Sequence, residues 1–141
     1  MKYLSILGML LFSVEVSAYE CGSSPFRTSE NGKGVKVGLF IQNEDFVNSP
    51  KWSLGSGEPP LSISKAASII SDWANQNYTK FDSMKISSIT LQENGCLVLK
   101  DHWIYVVDIN PIIDGNELFG GGYMAAITME GKIIEPRDIS E

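Results

Sequence analysis

Residues 62–77, SISKAASIISDWANQN, and residues 102–110, HWIYVVDIN, decide how this chain folds. In the first stretch Ile63, Ala66, Ala67, Ile70, Trp73 and Ala74 recur at helical spacing and form one apolar stripe. Lys65, Ser68, Asp72, Asn75 and Gln76 fill the other side. Ser62 suits the N-cap, because its hydroxyl accepts an amide N–H that the first helical turn leaves without a partner. Residues 77–80 end the helix, and its small alanines let it lie close to a sheet. In the second stretch Trp103, Tyr105, Val107 and Ile109 share one face of a strand, and Ile104 and Val106 share the other. Apolar residues on both faces mark a central strand, covered on both sides. Pro111 is expected to stop it.

Downstream and upstream segments complete the pattern. Residues 84–92 read as a strand whose parity switches: Met84 and Ile86 are even, Ile89 and Leu91 odd. Alternation has period two, so the switch at Ser87-Ser88 implies a bulge or a turn of the strand. Asn94-Gly95 signals a turn, and residues 96–99 form either a strand extension or an apolar loop. Residues 111–122 read as a loop of unusual apolar content, with Ile112, Ile113, Leu118 and Phe119, closed by Gly120-Gly121-Gly122. Residues 123–129 give the next strand, Glu130-Gly131 a turn, and residues 132–135 a short last strand blunted by Pro136. On the N-terminal side, residues 35–41 alternate as a short strand with one buried face. Residues 42–60 form a long loop broken by Pro50, Gly55, Gly57, Pro59 and Pro60, which Trp52 and Leu54 are expected to anchor on the core. Residues 19–34, rich in Ser, Gly, Asn and charge, read as a poorly ordered arm held mainly at Cys21. The expected fold class is therefore α+β: one helix packed on a curved antiparallel sheet of about four strands, preceded by a cleaved signal peptide. The division is 1–18 signal peptide, 19–59 N-terminal arm with one short strand and loop, and 60–137 helix-plus-sheet domain.

The signal assignment rests on Lys2, on the mostly apolar run 3–12, and on Val16-Ser17-Ala18 before the expected cut. That run is too short to span a bilayer, which takes about 20 residues. Glu20 before Cys21 argues against lipid attachment, which needs a small residue there. The remaining 123 residues suffice for one domain with a core, and no later segment is long and apolar enough to cross a membrane. Export places the chain in the periplasm or outside the cell. Net charge is −6 and stays so after residue 18. That balance excludes nucleic acid, whose affinity comes from Lys and Arg neutralising phosphates. Its simplest meaning is solubility. Cys21 and Cys96 are the two cysteines. In an oxidising compartment an even pair reads as a disulfide. Closing a loop of about 75 residues stabilises by roughly 4–5 kcal/mol in the chain-entropy treatment.

The order helix, strand, strand, Gly-turn, strand resembles the PepSY-like group of small exported α+β domains. A Ser opens an Ala-rich helix at Ser62-Ile63-Ser64-Lys65-Ala66-Ala67. An aromatic-rich strand follows at Trp103-Ile104-Tyr105-Val106-Val107, and a final hairpin carries Glu130-Gly131-Lys132-Ile133-Ile134. The resemblance covers residues 60–135. Residues 94–101 and 111–122 are longer than a compact hairpin of that pattern, and a cystatin-like helix-on-sheet fold has the same order. The resemblance implies a non-catalytic exported module that binds or inhibits another exported protein, with peptidases as the implied target class.

No catalytic or metal motif stands out, and nothing in the sequence asks for a cofactor. His102 is the sole histidine, with Asp101 beside it and no G-x-S-x-G elbow. One histidine and scattered acids make a weak metal-ligand set. Among the carboxylates Glu44, Asp45, Asp108, Asp114, Glu117 and Glu130, Asp108 is the least ordinary because it interrupts an apolar strand. The Gly120-Gly121-Gly122 run lacks a following helix and a Lys-Ser/Thr pair, so it is a flexible lead-in to a strand and not a phosphate loop. Trp103, Tyr105 and Tyr123 suit core or cross-strand pairing better than stacking on a base or sugar. The candidates for contact with a partner, another exported protein, are Ile112, Ile113, Leu118 and Phe119. Folding back to cap the sheet is their alternative role. Two other functional readings are kept: an inhibitor or immunity protein against a cell-wall hydrolase, and a small-ligand-binding α+β cone or minor hydrolase.

Overall fold

Ser62 caps the single α-helix found among the described residues: its hydroxyl accepts the Lys65 N–H at 3.2 Å at the start of α1 (Ile63–Asn77). The computed structural model describes residues 21–31 and 33–139, so the expected signal peptide lies outside the described residues. Ala66, Ile70 and Ala74 are the fully buried line of α1. Ile63 is exposed, so the working stripe begins one turn later than the spacing suggests.

The helix lies on a five-stranded antiparallel sheet formed by β3 (Ser83–Glu93), β4 (Trp103–Ile113), β5 (Asn116–Glu117), β6 (Tyr123–Thr128) and β7 (Ile133–Ile134). The order is β3-β4-β6-β7, with β5 continuing the pairing along β4. The first core fills the space between helix and sheet: Ala66, Ile70 and Ala74 meet Tyr105, Val107, Ile109, Ala125 and Ile127. Alanines on both layers allow close approach. Burying a side chain such as Ile70 stabilises by about 1.5–3 kcal/mol. The buried Tyr105 hydroxyl donates to the Leu61 carbonyl at 2.7 Å and fixes the chain just before the helix.

The other face of β4 is covered by a second sheet. Here β1 (Arg27–Glu30), β2 (Lys36–Leu39) and β8 (Arg137–Asp138) pair antiparallel in the order β1-β2-β8. Leu39 and Ile41 from the small-sheet side, with Phe46 and Leu99, bury Ile104, Val106, Met124, Ala126 and Ile134 in a second core. The result is three layers, helix, large sheet and small sheet. The double-sided apolar pattern of β4 is the direct consequence. Cys21 and Cys96 form a disulfide with Cα atoms 6.1 Å apart, and both pack against the second core.

Several local expectations change in the structure. Residues 27–30, expected to lie in a poorly ordered arm, form β1, and its ladder with β2 runs from Arg27↔Leu39 to Glu30↔Lys36. The chain does not end its pairing at Pro136. It crosses there from the large sheet to the small one, where Gly38 pairs with Arg137. Pro111 does not stop β4 either, which runs on to Ile113. The Pro111 carbonyl accepts from the Leu118 N–H, so the donorless proline nitrogen faces the β5 side, one residue past the paired Glu117, and takes no donor from the β3 side of the strand. Residues 111–122 are partly a hairpin: Ile112 pairs with Glu117 and Ile113 with Asn116 around Asp114-Gly115, both at positive φ. That is the geometry a two-residue Asp-Gly turn favours. The register shift between Ile86 and Ser88 is the bulge read from the parity switch. Residues 97–99 form a 3-10 turn. Trp52 anchors its loop edge-on against Trp103 at 5.3 Å, whereas Leu54 is 73 % exposed and anchors nothing.

Candidate functional site

The β4–β5 hairpin and the glycine run bring the apolar candidates to one end of the large sheet. Ile112 is half-buried on β4, while Ile113 and Leu118 are 37 % and 41 % exposed and Phe119 is 78 % exposed. Phe119 borders two clefts that also share Gly120 and Tyr123. One, of about 430 Å³, includes Lys33, Lys80, Phe81, Pro111, Leu118 and Gly121. The other, of about 420 Å³, includes Ser29, Ser87, Asp108 and Gly122.

The platform under Phe119 is rigid for identifiable reasons. Tyr123 stands in an edge-to-face chain of rings, 4.9 Å from Tyr78 and 5.5 Å from Phe81, with Trp73 5.7 Å from Tyr78. Such pairs contribute about 0.5–1.5 kcal/mol each beyond their burial. Trp73 Nε1 donates to Glu135 Oε1 at 2.7 Å. Burial first, then the neighbouring Tyr123 and Glu135, push the Tyr78 hydroxyl above its usual pKa of 10.0. The glycines are not a loose lead-in. A Cβ on Gly121 would stand 2.9 Å from the Tyr123 ring, and one on Gly122 would run into the Glu30 carbonyl oxygen of β1. At the hairpin base Glu117 accepts from Lys85 Nζ at 2.7 Å and Asn110 Nδ2 at 3.0 Å. Those bonds, Asn110 first, lower its pKa from the usual 4.5.

Two of the residues weighed for chemistry, Asp108 and His102, pack against neighbouring elements. Asp108 pairs with Arg27 Nη2 at 2.6 Å and accepts from Ser88 Oγ at 2.8 Å, tying the large sheet to β1. His102 is buried against Phe46, with ring centroids 5.3 Å apart. Burial, then Lys51, lower its pKa from 6.5 while Asp101 pulls the other way. Among the described residues no group of three His, Cys, Asp or Glu side chains is placed to hold a metal ion, and no helix is long and apolar enough to cross a membrane. The space between helix and large sheet is packed by the first core.

The sequence reading missed Lys33, Lys80 and Phe81, which come from the β1–β2 hairpin tip and from the segment after the helix. No local pattern marks them, because only the tertiary fold brings them to Leu118 and Phe119. The Asp114-Gly115 dipeptide was the available signal for the hairpin beneath. No protein-family model matches this chain, and no curated protein or solved structure matches it significantly.

Proposed function

We propose that this chain is a non-catalytic exported module that binds, and through binding inhibits, another exported protein. The surface assigned to the contact is the ridge of Ile113, Leu118 and Phe119. The observation that carries the reading is Phe119: a large apolar ring 78 % exposed on backbone tied down by the hairpin and the tight glycine crossing. Exposed aromatic rings on rigid supports are the usual anchors of protein interfaces. The PepSY-like resemblance supports an exported enzyme as the partner class, with a peptidase first. The cysteine bond supports an oxidising compartment, periplasmic or extracellular. The net charge of −6 favours a second reading, inhibition of a basic cell-wall hydrolase through electrostatic steering.

The test is affinity capture from an exported-protein extract with the disulfide-intact chain, at low and high salt. Wild type is compared with Phe119→Ser and Ile113→Ser. The expected result is one dominant partner held by wild type and lost by both variants, with their circular dichroism unchanged. Equal capture by the variants removes the ridge from the interface. A basic, salt-sensitive hydrolase as the partner selects the second reading.

A further inference from the structure

The cleft on the Lys80 side of Phe119 has a charge opposite to that of the chain as a whole. Its lining contains Lys33 and Lys80 and no carboxylate, in a molecule of net charge −6. Among the described residues neither lysine has a carboxylate within ion-pair distance. Lys80 Nζ sits over two ring faces, 4.8 Å from the Phe81 centroid and 5.9 Å from that of Tyr123. That contact holds the ammonium at the cleft without neutralising it. The Lys33 N–H donates to Asn31 Oδ1 at 3.0 Å, and the Val35 N–H donates to the same oxygen at 3.1 Å. Gly120 and Gly121 form part of the opposite wall. The floor is apolar and aromatic: Phe81, Pro111, Leu118, Phe119 and Tyr123. Two cations without a carboxylate partner and an aromatic floor ask for an anion joined to an apolar body.

We infer that this cleft takes an extended acidic segment of the partner protein, an aromatic side chain seated among Phe81, Phe119 and Tyr123 with flanking carboxylates meeting Lys33 and Lys80. The inference rests on the binding-module reading and specifies the chemistry of its partner. Opposite charge at the contact lets an acidic protein dock on an acidic segment: the two lysines belong to the cleft lining, and at contact range they act more strongly than carboxylates outside it.

The experiment is a titration of the ¹⁵N-labelled, disulfide-intact chain with three probes. They are the capped peptide Gly-Asp-Phe-Asp-Gly, its neutral counterpart Gly-Asn-Phe-Asn-Gly, and 3-phenylpropionate. The acidic peptide is expected to shift the amides of Gly120, Gly121 and Lys80 saturably, and the neutral peptide to bind at least about tenfold more weakly. The double variant Lys33→Gln/Lys80→Gln should erase that difference and the salt dependence with it. Equal binding of both peptides, shifts confined to another surface, or no shift overturns the inference. Equal or tighter binding of 3-phenylpropionate at the same amides overturns it in favour of a small aromatic acid. Its failure is separable from that of the wider reading. If the acidic peptide does not bind but Phe119→Ser still abolishes partner capture, only the acidic-segment assignment falls. If capture survives Phe119→Ser, the ridge itself is wrong.

Discussion

The glycine run before β6 gives a sharp test of the structure. Gly120 and Gly122 both take a positive φ, of 76° and 70°. An L residue held in the left-handed region costs about 1–2 kcal/mol. Their surroundings differ. A Cβ on Gly120 meets nothing within 4 Å, whereas one on Gly122 collides with the Glu30 carbonyl oxygen and stands 2.7 Å from Ser29 Oγ. Glu30 cannot simply retreat, because it is paired with Lys36 in the β1–β2 ladder. Overpacking of this kind adds about 1–3 kcal/mol. Gly120→Ala should therefore destabilise by about 1–2 kcal/mol and Gly122→Ala by about 2–5 kcal/mol. In urea, with an m-value of about 1–3 kcal/mol/M, the two midpoints should separate by on the order of 1 M. The assay is equilibrium urea unfolding followed by tryptophan fluorescence on both variants and wild type. Equal losses at the two positions would refute the close crossing of the glycine run over β1, and with it the rigid seat proposed for Phe119.

Three further outcomes follow from the same structure. Replacing both cysteines, Cys21→Ser with Cys96→Ser, should cost about 4–5 kcal/mol in the chain-entropy treatment, read from urea midpoints; a loss below about 1 kcal/mol would contradict it. Tyr105→Phe removes the 2.7 Å bond to the Leu61 carbonyl and should cost about 1–2 kcal/mol in the same assay, with a neutral result showing that Leu61 is satisfied by other means. For His102, whose folded pKa lies below 6.5, the unfolded chain takes up the proton at higher pH than the folded one. Its contribution to stability is therefore complete above about pH 6.5 and is lost as pH falls from there through the folded pKa. An NMR titration of the imidazole should give a midpoint below 6.5; one above it rules this out.

Elements built from local pattern were legible in the sequence. Ser62 and the Ala66, Ile70, Ala74 line announced α1, because a cap and a 3.6-residue period need no partner to be recognised. The parity switch at Ser87-Ser88 announced a bulge or a turn of the strand, since regular period-two alternation cannot keep Ile86 and Ile89 on one face, and the register shift there is the bulge. Elements defined by a remote partner were not legible. Residues 27–30, RTSE, carry no apolar alternation and form a strand only because β2 offers them backbone partners. Arg137 and Asp138 are exposed and join β2 across some hundred residues of chain. Pro111 misled because the rule against proline in a strand concerns a donor inside a continuous ladder, and here the proline stands just past the last paired residue of the short β5.

The candidate site divides in the same way. Sequence alone picked out the apolar content of residues 111–122, since composition is a local property. Whether those side chains cap a sheet or stand in solvent was decided by the fold, which buries one side of Ile112 and leaves Phe119 exposed. Sequence also fixed that β4 needs cover on both faces, because Ile104 and Val106 are as apolar as Tyr105 and Val107. It named the helix for one face. Only the tertiary structure supplied the other, by pairing β1, β2 and β8, since a layer assembled from backbone hydrogen bonds between distant segments leaves its signature in contacts and not in the order of residues.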